Sequence, residues 1–307
     1  MQTFVRDLPH GITLSCRAAG ERGRPVLMFL HGFPEGAFIW DELLTHFARP
    51  EHGGYRCIAP NLRGFERSSA PSDAKAYRAK YLLQDIAALI QTEGGSLECL
   101  VAHDWGGAVA WSLANQLPQL LRKLVIINSP HPGTFLRELQ GNPKQQAASA
   151  YMNFLVRADA QDLLAQDDYR RLWQFFTGLS PAQGEPSWLS DALKQQYREL
   201  WCQGLRGGCN YYRATPLRPA RVDDPAAAAI TLAQGALNIA VTTLVIWGLN
   251  DAALRPELID GLHAYVPDLR LRTVRDASHW IVHEQPELVI ECVQGFLLPK
   301  GASVQGL

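Results

Sequence analysis

Apolar residues along this chain fall into short runs separated by longer stretches with a helical period. The runs cover residues 26–30, 55–60, 99–103 and 124–128, then, much later, 243–247 and 269–274. Runs this short, bounded by Gly, Pro or Asn, predict strands buried on both faces. Residues 2–19 alternate around a turn at His10-Gly11, which predicts an antiparallel hairpin opening the sheet. Residues 81–93 place Leu82, Leu83, Ile86, Leu89 and Ile90 on one helical face and stop at Gly94-Gly95. Strand, helix and strand in repetition predict a mostly parallel sheet with helices on both sides.

The alternation breaks after Pro132. From about residue 133 to about residue 238 the pattern is helical, with no strand, and residues 226–229 form a short alanine run inside a connector. The predicted organisation is therefore a core built from residues 1–132 and 241–307, with a helical cap, residues 133–240, inserted between two of its strands. Composition adds boundaries rather than detail. Hydrophobic residues make up 47% and charged residues 19% of 307, as in ordinary globular enzymes. A net charge of −1 without blocks of like charge gives no reason to expect nucleic acid or a membrane surface as partner. The six cysteines form no C-x-x-C pair, the first residues lack the apolar core of a signal peptide, and no apolar run reaches membrane-spanning length. A cytoplasmic protein is the expectation.

The chemistry centres on Cys99-Leu100-Val101-Ala102-His103-Asp104-Trp105-Gly106-Gly107. An apolar run ending in small-x-nucleophile-x-Gly is a nucleophile elbow, a sharp strand-to-helix turn that exposes the side chain at its apex. Serine at that apex forms acyl-enzymes. A carboxylate such as Asp104 instead attacks a saturated carbon bearing a leaving group and leaves an alkyl ester on the enzyme. The plainer role for an Asp at such a turn is to cap the following helix. Two further motifs stand downstream, Trp247-Gly248-Leu249-Asn250-Asp251 and Asp276-Ala277-Ser278-His279-Trp280, and one upstream, His31-Gly32-Phe33-Pro34-Glu35.

In register, these motifs resemble the epoxide hydrolase branch of the α/β-hydrolase superfamily over nearly the whole chain. The resemblance implies the α/β-hydrolase fold, with Asp104 as nucleophile, Asp251 as the acid orienting the base, and His279 as the base that deprotonates water. Asp276 is the competing acid, but it lies too close to His279 along the loop. The resemblance further assigns the backbone N–H groups of Phe33 and Trp105 to an oxyanion hole and implies a cis bond before Pro34. It also implies two cap tyrosines that hydrogen-bond the opening epoxide oxygen. Asn210-Tyr211-Tyr212-Arg213 resembles the motif that carries one of them, at Tyr212, and Tyr151 in Ser149-Ala150-Tyr151-Met152-Asn153-Phe154 matches the other. Tyr211 and Tyr169 are the substitutes if either assignment fails. An ordinary phenol, with a pKa of about 10, suits proton donation to an alkoxide.

Phe33, Trp105, His131, Tyr211 and Trp280 adjoin these motifs and are the candidate substrate contacts. His131 also stands where a hinge to the cap would be, and His103 is expected to be hydrogen-bonded beneath the elbow. Trp173, Trp188 and Trp201 are expected in the core of the cap. The implied reaction needs a small-molecule epoxide and water, with no cofactor, and the nine histidines show no metal-ligand spacing. Haloalkane and haloacid dehalogenases share the Asp–His chemistry and are the nearest alternative. Phe33 stands where the former usually carry Asn, and Trp105 and Ala108 where the fluoroacetate enzymes carry arginines. A ligand-binding protein on a hydrolase scaffold is the more distant alternative.

Overall fold

The structure, a computed structural model, describes residues 1–178, 185–221, 224–233, 235 and 237–298. Its centre is one eight-stranded sheet in the order β1-β2-β4-β3-β5-β6-β7-β8. The hairpin β1 (Gln2–Asp7) and β2 (Thr13–Ala19) is antiparallel and joins β4 antiparallel. β3 (Val26–Leu30), β4 (Arg56–Pro60), β5 (Cys99–His103), β6 (Lys123–Ile127), β7 (Thr242–Gly248) and β8 (Leu269–Val274) run parallel to one another.

The central strands are apolar because both of their faces are covered. Val26, Met28 and Leu30 of β3 pack into one core, whereas Leu27 and Phe29 pack into the other, the period-two alternation of a strand. The first core receives α2 (Ala79–Thr92) and α3 (Trp105–Gln116); the second receives α1 (Asp41–Phe47) and α11 (Pro286–Leu297), which follows the short α10 (Ile281–Glu284). β8 departs from the expectation of two buried faces. It is the edge strand, and residues 270–273 are exposed, Leu271 to 46%.

Between β6 and β7 the chain leaves the sheet. Residues 133–240 carry α4 (Pro132–Gly141), α5 (Pro143–Ala148), α6 (Tyr151–Leu155), α7 (Ala160–Gly178), α8 (Asp191–Trp201) and α9 (Arg206–Ala214). α7 is broken at 166–169, where Asp167, Asp168 and Tyr169 have positive φ. The alanine run forms a 3-10 turn, Pro225–Ala229, and among the described residues of this insertion no strand forms. Residues 299–307, which the sequence assigned to the core, lie outside the described residues, as do 179–184, 222–223, 234 and 236 of the insertion. No helix among the described residues is long and apolar enough to cross a membrane.

Candidate active site

Asp104 sits between β5 and α3 with φ 49° and ψ −121°. A non-glycine residue held there is strained, and the neighbouring chain shows what holds it. Ser129, after β6, donates its hydroxyl to the Asp104 carbonyl oxygen at 2.7 Å. Gly106 lies against the carbonyls of Leu30 and His31, and Gly107 against the Ser129 side chain, so a side chain at either position would overlap them. The carboxylate itself rests against Gly32, and its Oδ1 accepts the Phe33 N–H at 2.8 Å. The Phe33–Pro34 peptide is cis. His31 anchors this loop: its Nε2 accepts the Leu62 N–H at 3.0 Å and its Nδ1 donates to the Gly32 carbonyl at 2.9 Å. Burial depresses its pKa to about 4, so the ring is neutral at physiological pH.

Asp251 and His279 reach the same point from the loops after β7 and β8. His279 Nδ1 donates to Asp251 Oδ2 at 2.7 Å, and its Nε2 lies 3.8 Å from Asp104 Oδ2. Asp251 is locked on every side. Its Oδ1 accepts the N–H groups of Ala253 and Leu254, and its Oδ2 also accepts from Asn128 Nδ2 at 2.8 Å. Burial opposes protonation of His279, but the charge and hydrogen bond of Asp251, with the charge of Asp104, raise its pKa to about 9. Asp276, the rival acid, makes no such bond: it is exposed, and its carbonyl accepts from Gln285.

Above Asp104 lies a cavity of about 190 Å³ lined by both the core and the insertion. Tyr151 from α6 and Tyr212 from α9 line it beside Asp104 and Trp105, their ring centroids 6.0 Å apart. Neither phenol is ordinary. Burial first pushes both pKa values well above the usual value of 10.0; the charge of Asp104 adds to it at Tyr151, and Tyr151 and then Asp104 add to it at Tyr212. Both therefore stay protonated and keep a hydrogen bond or a proton to donate.

A family model described as the alpha/beta hydrolase fold matches residues 25–286. Epoxide hydrolase 4 of Mus musculus is 31% identical over 303 residues, covering 96% of this chain and 79% of that protein. This chain belongs to the epoxide hydrolase branch of the alpha/beta hydrolase fold family. Other family members agree with that placement. The AB hydrolase superfamily protein YfhM of Bacillus subtilis (strain 168) is 34% identical, with 94% of this chain and 95% of that protein covered. In structure, this chain superposes on the Bacillus megaterium epoxide hydrolase in complex with an inhibitor with a TM-score of 0.84. The two are 30% identical, with 96% of this chain and 99% of that chain covered.

Not every residue singled out in this epoxide hydrolase relative faces the cavity. Trp105 and Tyr211 line it, but the Tyr211 hydroxyl is engaged with the Arg63 carbonyl at 2.9 Å. Phe33, His131 and Trp280 are not among its lining residues. The Phe33 ring is held edge-on against Tyr212 and Phe175, and its backbone N–H is what reaches Asp104. His131 caps α4 through Gly133 N–H, bonds the Leu237 carbonyl at 2.8 Å and stacks on Tyr265. It joins the two ends of the insertion. Trp280 packs into an aromatic cluster with Phe176 and Trp188 and meets the His279 ring edge-on. Trp173 and Trp201 belong to the same insertion cluster.

Two groups escaped the sequence reading. Asn128 follows β6 with φ 39° and ties Asp251 to the Gly248 N–H; an Asn directly after an apolar run was its only signal. Glu35 is wholly buried. Its Oε1 accepts from Tyr197 at 2.8 Å and His283 at 2.7 Å, and its Oε2 lies 3.3 Å from His103 Nδ1. Burial disfavours its charge, but His283 and His103 outweigh that and hold its pKa well below the carboxylate range. His103 in turn donates through Nε2 to the His279 carbonyl at 2.9 Å, which places it beneath the elbow as expected.

Proposed function

We propose that the protein hydrolyses epoxides to vicinal diols in two steps, through an alkyl ester on Asp104. Asp104 Oδ2 attacks one ring carbon and the carbon–oxygen bond breaks. Tyr151 and Tyr212 hydrogen-bond the departing oxygen and supply its proton. His279 then takes a proton from water, which adds to the ester carbonyl carbon. The oxygen that becomes negative is Oδ1, the atom already bonded to the Phe33 N–H; the Trp105 N–H is the second donor. Donors of this kind are worth about 2.7–4 kcal/mol of barrier each. Collapse of the tetrahedral intermediate frees the diol and restores the carboxylate, and return of the proton on His279 to the phenolate, through solvent, closes the cycle.

The observation that carries this reading is the pair of protonated phenols beside the carboxylate. Halide leaves as an anion and needs no proton; an epoxide oxygen stays attached and does. We also infer that residues 133–240 act as a cap, because Tyr151 and Tyr212 come from it while Asp104, Asp251 and His279 come from the core. Six free cysteines support a cytoplasmic setting. The test is product analysis with styrene oxide and with a chloroalkane. Diol from the first and no halide from the second is expected; halide release without epoxide loss would move the protein to the dehalogenases.

A further inference from the structure

The cavity extends away from Asp104 along α3. Asp104, Trp105, Ala108, Val109 and Ser112 all line it, and their spacing is that of one helical face. At 1.5 Å per residue, the wall from Asp104 to Ser112 is about 12 Å long. Leu82 of α2 and Leu217, beyond α9, belong to the same lining. Two lining residues are exposed, Ala79 at the start of α2 and Pro216, and they mark the mouth. Phe135, Met152 and Leu254 are lining residues too, but all three are buried and bound the cavity away from solvent.

The chemistry of the walls is as one-sided as their shape. Among the described residues, no Lys, Arg, His or Glu lines the cavity, and Asp104 is its sole carboxylate. The hydroxyls of Ser129 and Tyr211 are already bonded to backbone carbonyls. On α3 the wall is kept open by two small side chains one turn apart, Ala108 and Ser112, both only partly buried.

We propose that this channel selects epoxides bearing one long, uncharged apolar arm at the chain end, and that Ala108 and Ser112 set the length of arm admitted. The inference rests on the epoxide hydrolase reading and deepens it. An arm lying along α3 leaves water for an apolar wall over two helical turns. Each buried methylene is worth about a fourfold gain in kcat/KM. A leucine at 108 fills the channel about one helical turn from Asp104, and a leucine at 112 fills it about two turns away. The first excludes even a short arm, and the second only a longer one.

The experiment measures kcat/KM for epoxybutane, epoxyhexane and epoxyoctane, each with the ring at the chain end, on the wild type, Ala108→Leu and Ser112→Leu. Circular dichroism and melting curves verify the fold, and Ala108→Val replaces the leucine variant if that one does not fold. In the wild type, kcat/KM is expected to rise up to about 250-fold from epoxybutane to epoxyoctane, four methylenes at about fourfold each. Ala108→Leu should abolish that rise, whereas Ser112→Leu should keep it to epoxyhexane and lose it at epoxyoctane. A flat wild-type series, or variants that slow all three substrates alike, overturns the inference while leaving epoxide hydrolysis in place. Absence of turnover with every epoxide overturns both.

Discussion

His279 lies between two carboxylates that act on it differently. Asp251 is bonded to Nδ1 and fixes the ring. Asp104 faces Nε2 at 3.8 Å, and in the proposed mechanism its charge disappears when it becomes an ester. Both carboxylates help to raise the pKa of the resting imidazole to about 9. Formation of the ester removes one of them, so the imidazole becomes easier to deprotonate when a base is required. In the proposed mechanism the tyrosines serve only the first step. Replacing Tyr151 and Tyr212 together by Phe should slow ester formation about 10²–10⁴-fold and leave ester hydrolysis nearly unchanged, as followed in single-turnover experiments. Equal slowing of both steps would remove the phenols from the acid role.

At the scale of elements, the elbow works because α3 approaches the sheet closely. Gly107→Ala would bring a Cβ into the Cβ and Oγ of Ser129, and a Cβ fixed to its own backbone cannot swing aside. Alanine gains about 1 kcal/mol of helix propensity over glycine, but overpacking costs about 1–3 kcal/mol. A net loss of up to about 2 kcal/mol in urea unfolding is therefore expected, with reduced turnover because Ser129 also holds the Asp104 carbonyl. An unchanged midpoint would contradict the packing argument. Elements of this kind were legible in the sequence: the runs at 26–30, 99–103 and 269–274 are β3, β5 and β8 to the residue. The edge position of β8 was not, because an exposed leucine at 271 reads like a buried one until the neighbouring strand is known. The partners that keep Trp280 and His131 out of the cavity wall, and that suit His131 to the hinge instead, were hidden for the same reason. These partners, Leu237, Tyr265, Phe176 and Trp188, are remote in sequence.

At the scale of the whole molecule, the same buried groups set a pH window for stability. His31 and His131 are held neutral by burial, with pKa values lowered from 6.5 to about 4. The unfolded chain binds those protons first, so stability is lost as pH falls from 6.5 towards 4. The charged state of Glu35, favoured in the fold, adds to that loss in acid. His279 works in the opposite sense: its raised pKa contributes stability below 6.5 that is lost as pH rises to about 9. Melting temperature should therefore peak near neutrality, and His279→Gln should remove the fall between pH 6.5 and about 9; an unaltered fall over that range would reassign it. That variant also bears on the central claim, a covalent ester on Asp104. Mixed with styrene oxide, His279→Gln lacks its base and should stall at the ester. Intact-protein mass spectrometry should then show a gain equal to one whole epoxide, absent when Asp104 is also replaced by Ala. Turnover without any adduct, or an adduct that survives the loss of Asp104, would contradict the account.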